Sequence, residues 1–334
     1  MAISLAGCTQ FSSSEPLSNG ASQSSAAPSQ VPTIVPAQAP TPAPTPISNP
    51  NPTPTPVPTP VATPKPTPAP TPVPTPTPTA SSAGPVTSLH YSAGLSTNTD
   101  GFNLADVSSV SDLNGLSSGM KGLVWLGLCN GADSNFISTV SAFKGNPNLY
   151  GFYLMDEPDP TGQYGQLCSA ANLKAESDWI HANLPGAKTF MVLVNFGSEL
   201  TAPSYVNTYN PANTDIDLFG LDPYPCRSDL GGACQLSAIN LAVAAANVAG
   251  IPSSQLIPVY QAFGCTNMSG GCPEDSGGYS TLPSATQEQQ MLATWATLLP
   301  TPAFDYAYSW AMSDIELPLS TAPDLQAVFA AHNQ

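Results

Sequence analysis

Two adjacent carboxylates end a strand-like run of apolar residues. Residues 149–160 read LYGFYLMDEPDP, aromatic and aliphatic through Met155, then Asp156, Glu157 and a proline. Apolar runs of this kind pack into a sheet, and these acids sit where the sheet stops. In parallel α/β folds, reacting groups collect at the carboxyl ends of strands. Burial and a neighbouring negative charge both hold a proton on a carboxylic acid, so the pair offers a general acid in Glu157, with Asp156 beside it. The same residues also suit a plainer use, Asp156 capping the next segment and Glu157 standing in solvent.

Other apolar runs end in a similar way. They offer His90 and Tyr91, Trp125, Asn195, Asp222 with Tyr224, Tyr260 with Gln261, and Trp310, while Tyr153 lies within the central run. Asp222 is the second carboxylate that could activate water. Aromatic faces stack on the C–H surfaces of pyranose rings, and acids and amides bind hydroxyls, so the set suits a sugar. Taken singly, Trp125, Trp310 and His90 suit a core equally well. Asn195 and Gln261 could tie down loops, and Asp222 before Pro223 could be a turn residue.

The elements that must carry these residues alternate in type. Strand patterns occupy 86–91, 121–126, 150–155, 188–195, 216–221, 256–263 and 304–310. Helix patterns occupy 134–144, 170–183, 237–249, 284–299 and 322–332, with Ser284 and Gln287 spaced as a capping box. Alternation of this kind predicts a parallel sheet with crossover helices, and the length favours a closed (β/α)8 barrel. Seven strands are legible. The eighth is either a short strand near 101–107 or missing.

This barrel fills residues 85–334. Residues 9–84 are a Ser/Thr/Pro-rich, disordered linker, with 21 of the chain's 39 prolines between Pro28 and Pro78. Such a run favours extended polyproline II and serves as a spacer. The net charge of the 334-residue chain is −16, from 22 acids and 6 bases. Glu15 and Lys65 cancel in the linker, so the whole deficit falls on the barrel. That charge repels phosphate backbones, and nucleic acid is not an expected partner.

Of seven cysteines, Cys8 is the odd one. The other six suggest disulfides and an oxidising compartment, paired Cys226–Cys234 and Cys265–Cys272 locally, with Cys129–Cys168 remaining. No Cys-x-x-Cys occurs and the three histidines are not at ligand spacing, so neither a metal nor any other cofactor is expected. Leu5-Ala6-Gly7-Cys8 resembles the bacterial lipobox, which implies lipidation of Cys8, residues 1–8 as the remnant of a signal peptide, and an extracytoplasmic, envelope-tethered monomer. A basic start and an apolar run, which a signal peptide needs, do not precede it.

The order of elements, the Asp-Glu-Pro at one strand end and the aromatic last strand ending in Trp310 resemble the (β/α)8 glycoside hydrolases that carry their acid/base in an Asn-Glu-Pro. The resemblance implies Glu157 as acid/base, Trp310 as the floor of a sugar subsite, and a poly- or oligosaccharide substrate. Two positions depart from it. Asp156 replaces the Asn, and Gln261 stands on the strand that would carry the nucleophilic Glu. Three readings follow: inversion with Asp222 as base, substrate assistance through Asp156 as in the Asp-Glu pair of β-hexosaminidases, or a glycan-binding barrel without turnover.

Overall fold

Eight parallel strands close into a barrel. In chain order they are β1 (His90–Ser92), β2 (Leu104–Val107), β3 (Lys121–Trp125), β4 (Leu149–Met155), β5 (Lys188–Val192), β6 (Leu218–Leu221), β7 (Leu256–Gln261) and β9 (Asp305–Tyr308). Neighbours follow sequence order until β9, which pairs with both β7 and β1 and so forms the seam. Between them in sequence, β8 (Phe263–Cys265) pairs antiparallel with β10 (Glu316–Pro318) outside the barrel. This computed structural model describes residues 84–93, 100–163, 166–195, 202–205, 208–267, 278–309 and 315–334. All of them fall in the unit Thr77–Gln334, distinct from Met1–Pro76.

The eighth strand is β2, within the stretch 101–107 where a short strand is one of the two expectations. It has four residues, Leu-Ala-Asp-Val, too few to establish a period. The first strand is also later and shorter than its pattern, beginning at His90.

The helices α1 (Val110–Asn114), α2 (Ser134–Ser141), α3 (Ala170–Asn183), α4 (Pro211–Thr214), α5 (Ser237–Val248), α6 (Ala285–Leu298) and α7 (Pro323–His332) occupy the connections. Their starts are capped by side chains, at Ser284 and Gln287 as their spacing implies. Asp133 accepts the Phe136 N–H, Ser169 accepts that of Asn172, and Ser284 with Gln287 forms a reciprocal box. The short α1 and α4 carry too little periodicity to be read from sequence. Among the described residues no helix is long and apolar enough to cross a membrane.

Strand alternation divides the apolar residues into two cores. Tyr91, Leu104, Leu123, Tyr153, Phe190, Val192, Leu218, Ile257, Val259 and Tyr306 fill the barrel, with Phe304. The outward residues pack on the helices, Trp295 and Phe329 among the largest. Removing Trp295 to Cβ would cost roughly 3–5 kcal/mol. Gly151 has a steric reason: a Cβ there would collide with the Lys188 carbonyl of the adjoining strand.

Two disulfides brace loops at the carboxyl ends of the strands. Cys129–Cys168 joins the connections after β3 and β4, and Cys226–Cys234 closes a loop after β6. Cys265 is also disulfide-bonded, and Cys272, its expected partner, lies outside the described residues. Cys8 and the linker lie outside them too.

Candidate active site

The mouth of the barrel owes its character to an irregularity in β4. Gly151, Phe152 and Tyr153 pair in register with Lys188, Thr189 and Phe190, but Met155, not Leu154, pairs with Met191. One extra residue on β4 reverses the alternation. Leu154 and Met155 both pack on the outer core, and Asp156 turns inward above Tyr153. The Tyr153 hydroxyl donates to Asp156 Oδ1 at 2.6 Å. Burial pushes the Asp156 carboxyl up from the usual range, and that hydrogen bond partly offsets it.

Glu157 follows with φ of +42°, and its N–H is held by the Val192 carbonyl at 3.2 Å. Its side chain is exposed at the rim. Across the mouth, Tyr224 has φ of +32°. Left-handed backbone on a side-chain-bearing residue costs of order 1–3 kcal/mol and collects at functional sites. Asp222 is buried two residues earlier, on the loop after β6.

Three carboxylates bear on Tyr224. Burial, then the charge of Asp222, then Tyr308, Glu157 and Asp156 hold its phenol well above the ordinary value. Tyr91, Tyr153 and Tyr306 are likewise raised, chiefly by burial, and each feels the Asp156 charge. The rings form a continuous wall. Trp125 stands edge-on to Tyr153 at 4.7 Å between centroids, Tyr306 neighbours Tyr308 at 5.8 Å, and Tyr308 lies 5.7 Å from Tyr224.

The structure thus brings Asp156, Glu157, Asp222, Tyr91, Trp125, Tyr153 and Tyr224 to one end of the barrel. Asn195 is partly buried at the end of the β5 segment, and its Oδ1 accepts the Ser204 N–H at 3.1 Å, tying its own loop. Five expectations are corrected. Tyr91 and Tyr153, 1% and 2% exposed, lie below the mouth in the barrel core with their hydroxyls on Asp106 and Asp156, and offer no face to a substrate. His90 and Tyr260 point outward toward α7, because the residues beside them, Tyr91 and Val259, point in. Gln261 is fully buried with its amide engaged on both sides: Oε1 accepts the Cys226 N–H, and Nε2 donates to the carbonyls of Cys226 and Thr281. Trp310 lies outside the described residues.

Sequence reasoning overlooked Asp106, Tyr306 and Tyr308. Asp106 follows inward-facing Leu104 by two and hydrogen-bonds the Tyr91 hydroxyl. Tyr306 and Tyr308 share the inward face of β9, a period of two visible in Asp-Tyr-Ala-Tyr had it been followed.

Fold and mouth define a closed parallel (β/α)8 barrel whose catalytic-type face is built of carboxylates and phenols. No family model matches the chain, and no curated protein does. Solved structures that resemble it include a chitinase from Rhizomucor miehei, at 16% identity over 73% of this chain and 98% of that one, with a TM-score of 0.47. A GH18 chitinase from Flavobacterium johnsoniae is 10% identical over 75% and 94%, with a TM-score of 0.47. A chitinase-like agglutinin from Robinia pseudoacacia is 12% identical over 73% and 99%, with a TM-score of 0.41. Likeness at this level assigns no chemistry, and the barrel itself rests on the strand pairing.

Proposed function

We propose that this barrel is a glycoside hydrolase that cleaves a poly- or oligosaccharide at its mouth with inversion. Glu157 gives its proton to the glycosidic oxygen, which leaves with one sugar. Asp222 takes a proton from water as the water oxygen bonds to the anomeric carbon. The observation that carries this reading is the convergence of Asp156, Glu157 and Asp222 on Tyr224 within an aromatic wall. Inverting enzymes hold their two carboxyls roughly 6.5–9.5 Å apart, with room for the water. Next to Glu157 in the chain, the half-buried Asp156 carboxyl is itself held above the usual range. Retention through an enzyme nucleophile is disfavoured because the amide of Gln261 is engaged and an amide cannot attack an anomeric carbon.

On the same reading Trp125, Tyr224 and Tyr308 stack on sugar rings, with Tyr153 supporting Asp156 from beneath, and Trp310 adds a floor. The domain, residues 85–334, is held away from an envelope by the linker 9–84 and a lipid on Cys8, acting as an extracytoplasmic monomer. The disulfides support an oxidising compartment.

The test is hydrolysis of a panel of polysaccharides and aryl glycosides by the full chain beside Glu157→Gln, with the released anomer followed by NMR. Turnover lost in the variant, with inverted product, bears the reading out. Retained product would move the mechanism to substrate assistance by a 2-acetamido group held by Asp156. Glycan binding in both proteins without products would make the barrel a binding module.

A further inference from the structure

The strongest unexplained cluster lies away from the mouth, over the seam of the barrel. His90 and Asp305 are register partners on β1 and β9, and His332 reaches them from the last turn of α7. His90 Nδ1 is 2.9 Å from Asp305 Oδ1, and His332 Nε2 is 2.7 Å from Asp305 Oδ2. The ligand-type atoms of all three lie within 4.8 Å of one another. The Tyr260 hydroxyl is 3.3 Å from Asp305 Oδ2. His90 and Asp305 are buried and His332 nearly so. Gly84 packs against the imidazole of His332, where any Cβ would collide with the ring.

A second buried acid acts on the same tyrosine. Glu288, on α6, is fully buried, and neither carboxylate oxygen has a hydrogen-bond partner. When ionised it bears on the Tyr260 hydroxyl, the same group that reaches Asp305. Burial pushes its carboxyl up to about 8, so it keeps its proton at neutral pH and calls for no compensating ion.

We propose that His90, Asp305 and His332 bind a divalent transition-metal ion of the zinc type, which staples α7 across the seam between β1 and β9. Two imidazoles and a carboxylate suit such an ion. Shifts of a few tenths of an ångström bring atoms within 4.8 Å of one another to the roughly 4.2 Å or less that ligands about 2.1 Å from one ion require. The ion replaces the hydrogen between each ring nitrogen and Asp305, and each neutral ring then carries its proton on the other nitrogen. The Tyr260 hydroxyl orients Asp305 from outside. The buried position suits a structural ion.

The test is equilibrium dialysis of the chelator-stripped full chain against Co2+, then Zn2+. One ion per chain is expected, with ligand-field absorption for cobalt that zinc abolishes. Zinc at a hundredfold excess over Kd raises Tm by roughly 5–10 °C. His332→Gln keeps an N–H for Asp305 but offers the metal no imidazole, so affinity falls about 100-fold. His181→Gln removes the other histidine–carboxylate cluster, with Asp215 and Asp217 at 3.2 and 3.0 Å, and leaves uptake unchanged. If His332→Gln does not fold, X-ray absorption of the zinc-loaded natural chain decides: two imidazoles bear the proposal out, and one or none overturns it. It is also overturned if the natural chain takes up no stoichiometric ion, or if uptake is lost with His181→Gln.

Discussion

Gln261 grips Cys226 at both ends of one residue, accepting its N–H at 2.9 Å and donating to its carbonyl at 3.0 Å. The amide therefore fixes the loop that carries Asp222 and Tyr224. Gln261→Glu removes both donations from Nε2, to Cys226 and Thr281, and buries a charge in their place. It is expected to cost roughly 2–4 kcal/mol in chemical denaturation and to lower activity, not to create a retaining nucleophile. Unchanged stability would show that the clamp contributes little.

Tyr153→Phe removes the hydrogen bond that opposes the effect of burial on Asp156. The Asp156 carboxyl then titrates higher. The limb of the kcat/KM profile that reports Asp156 is expected to move to higher pH, with an unchanged far-ultraviolet circular dichroism spectrum showing that the fold is retained. A profile that does not move would separate Asp156 from the reaction.

Glu176 gives a pH dependence of stability. It is buried, its Oε1 accepts the N–H groups of Asn130 and Gly131, and burial pushes its carboxyl up to about 8. The unfolded value is about 4.3. Between the two the folded chain holds more protons, so this group makes stability fall as pH rises, by up to about 1.4 kcal/mol per unit. Glu176→Gln keeps an acceptor oxygen and should flatten that slope between pH 4.3 and 8, read from urea midpoints of both proteins. Equal slopes would refute it.

The two described disulfides differ in span, 39 residues for Cys129–Cys168 and 8 for Cys226–Cys234. By loop-closure entropy, paired Cys→Ala replacement is expected to cost about 4 kcal/mol at the first and about 2.5 at the second. The ordering, measured by denaturant unfolding, is the sharper check.

Much of the barrel was legible because apolar runs and helix caps are local signals. What was hidden has local causes too. β2 is too short to show a period, and Asp106 was hidden with it. The β4 irregularity decides that Asp156 faces the axis, and nothing in Tyr153-Leu154-Met155-Asp156 announces an extra residue. His90 and Tyr260 were placed at the mouth because a strand end was read without its alternation. The meeting of His90 with Asp305 and His332 joins residues more than two hundred positions apart, beyond any spacing rule.

The seam has a consequence in time. β9 pairs on one side with β7 and on the other with β1, so a growing chain presents two bare strand edges until residues 305–308 arrive. Unpaired edges recruit other chains. The barrel is therefore most prone to aggregate just before completion, and a chain cut short of Asp305 should associate with itself more than the full chain does.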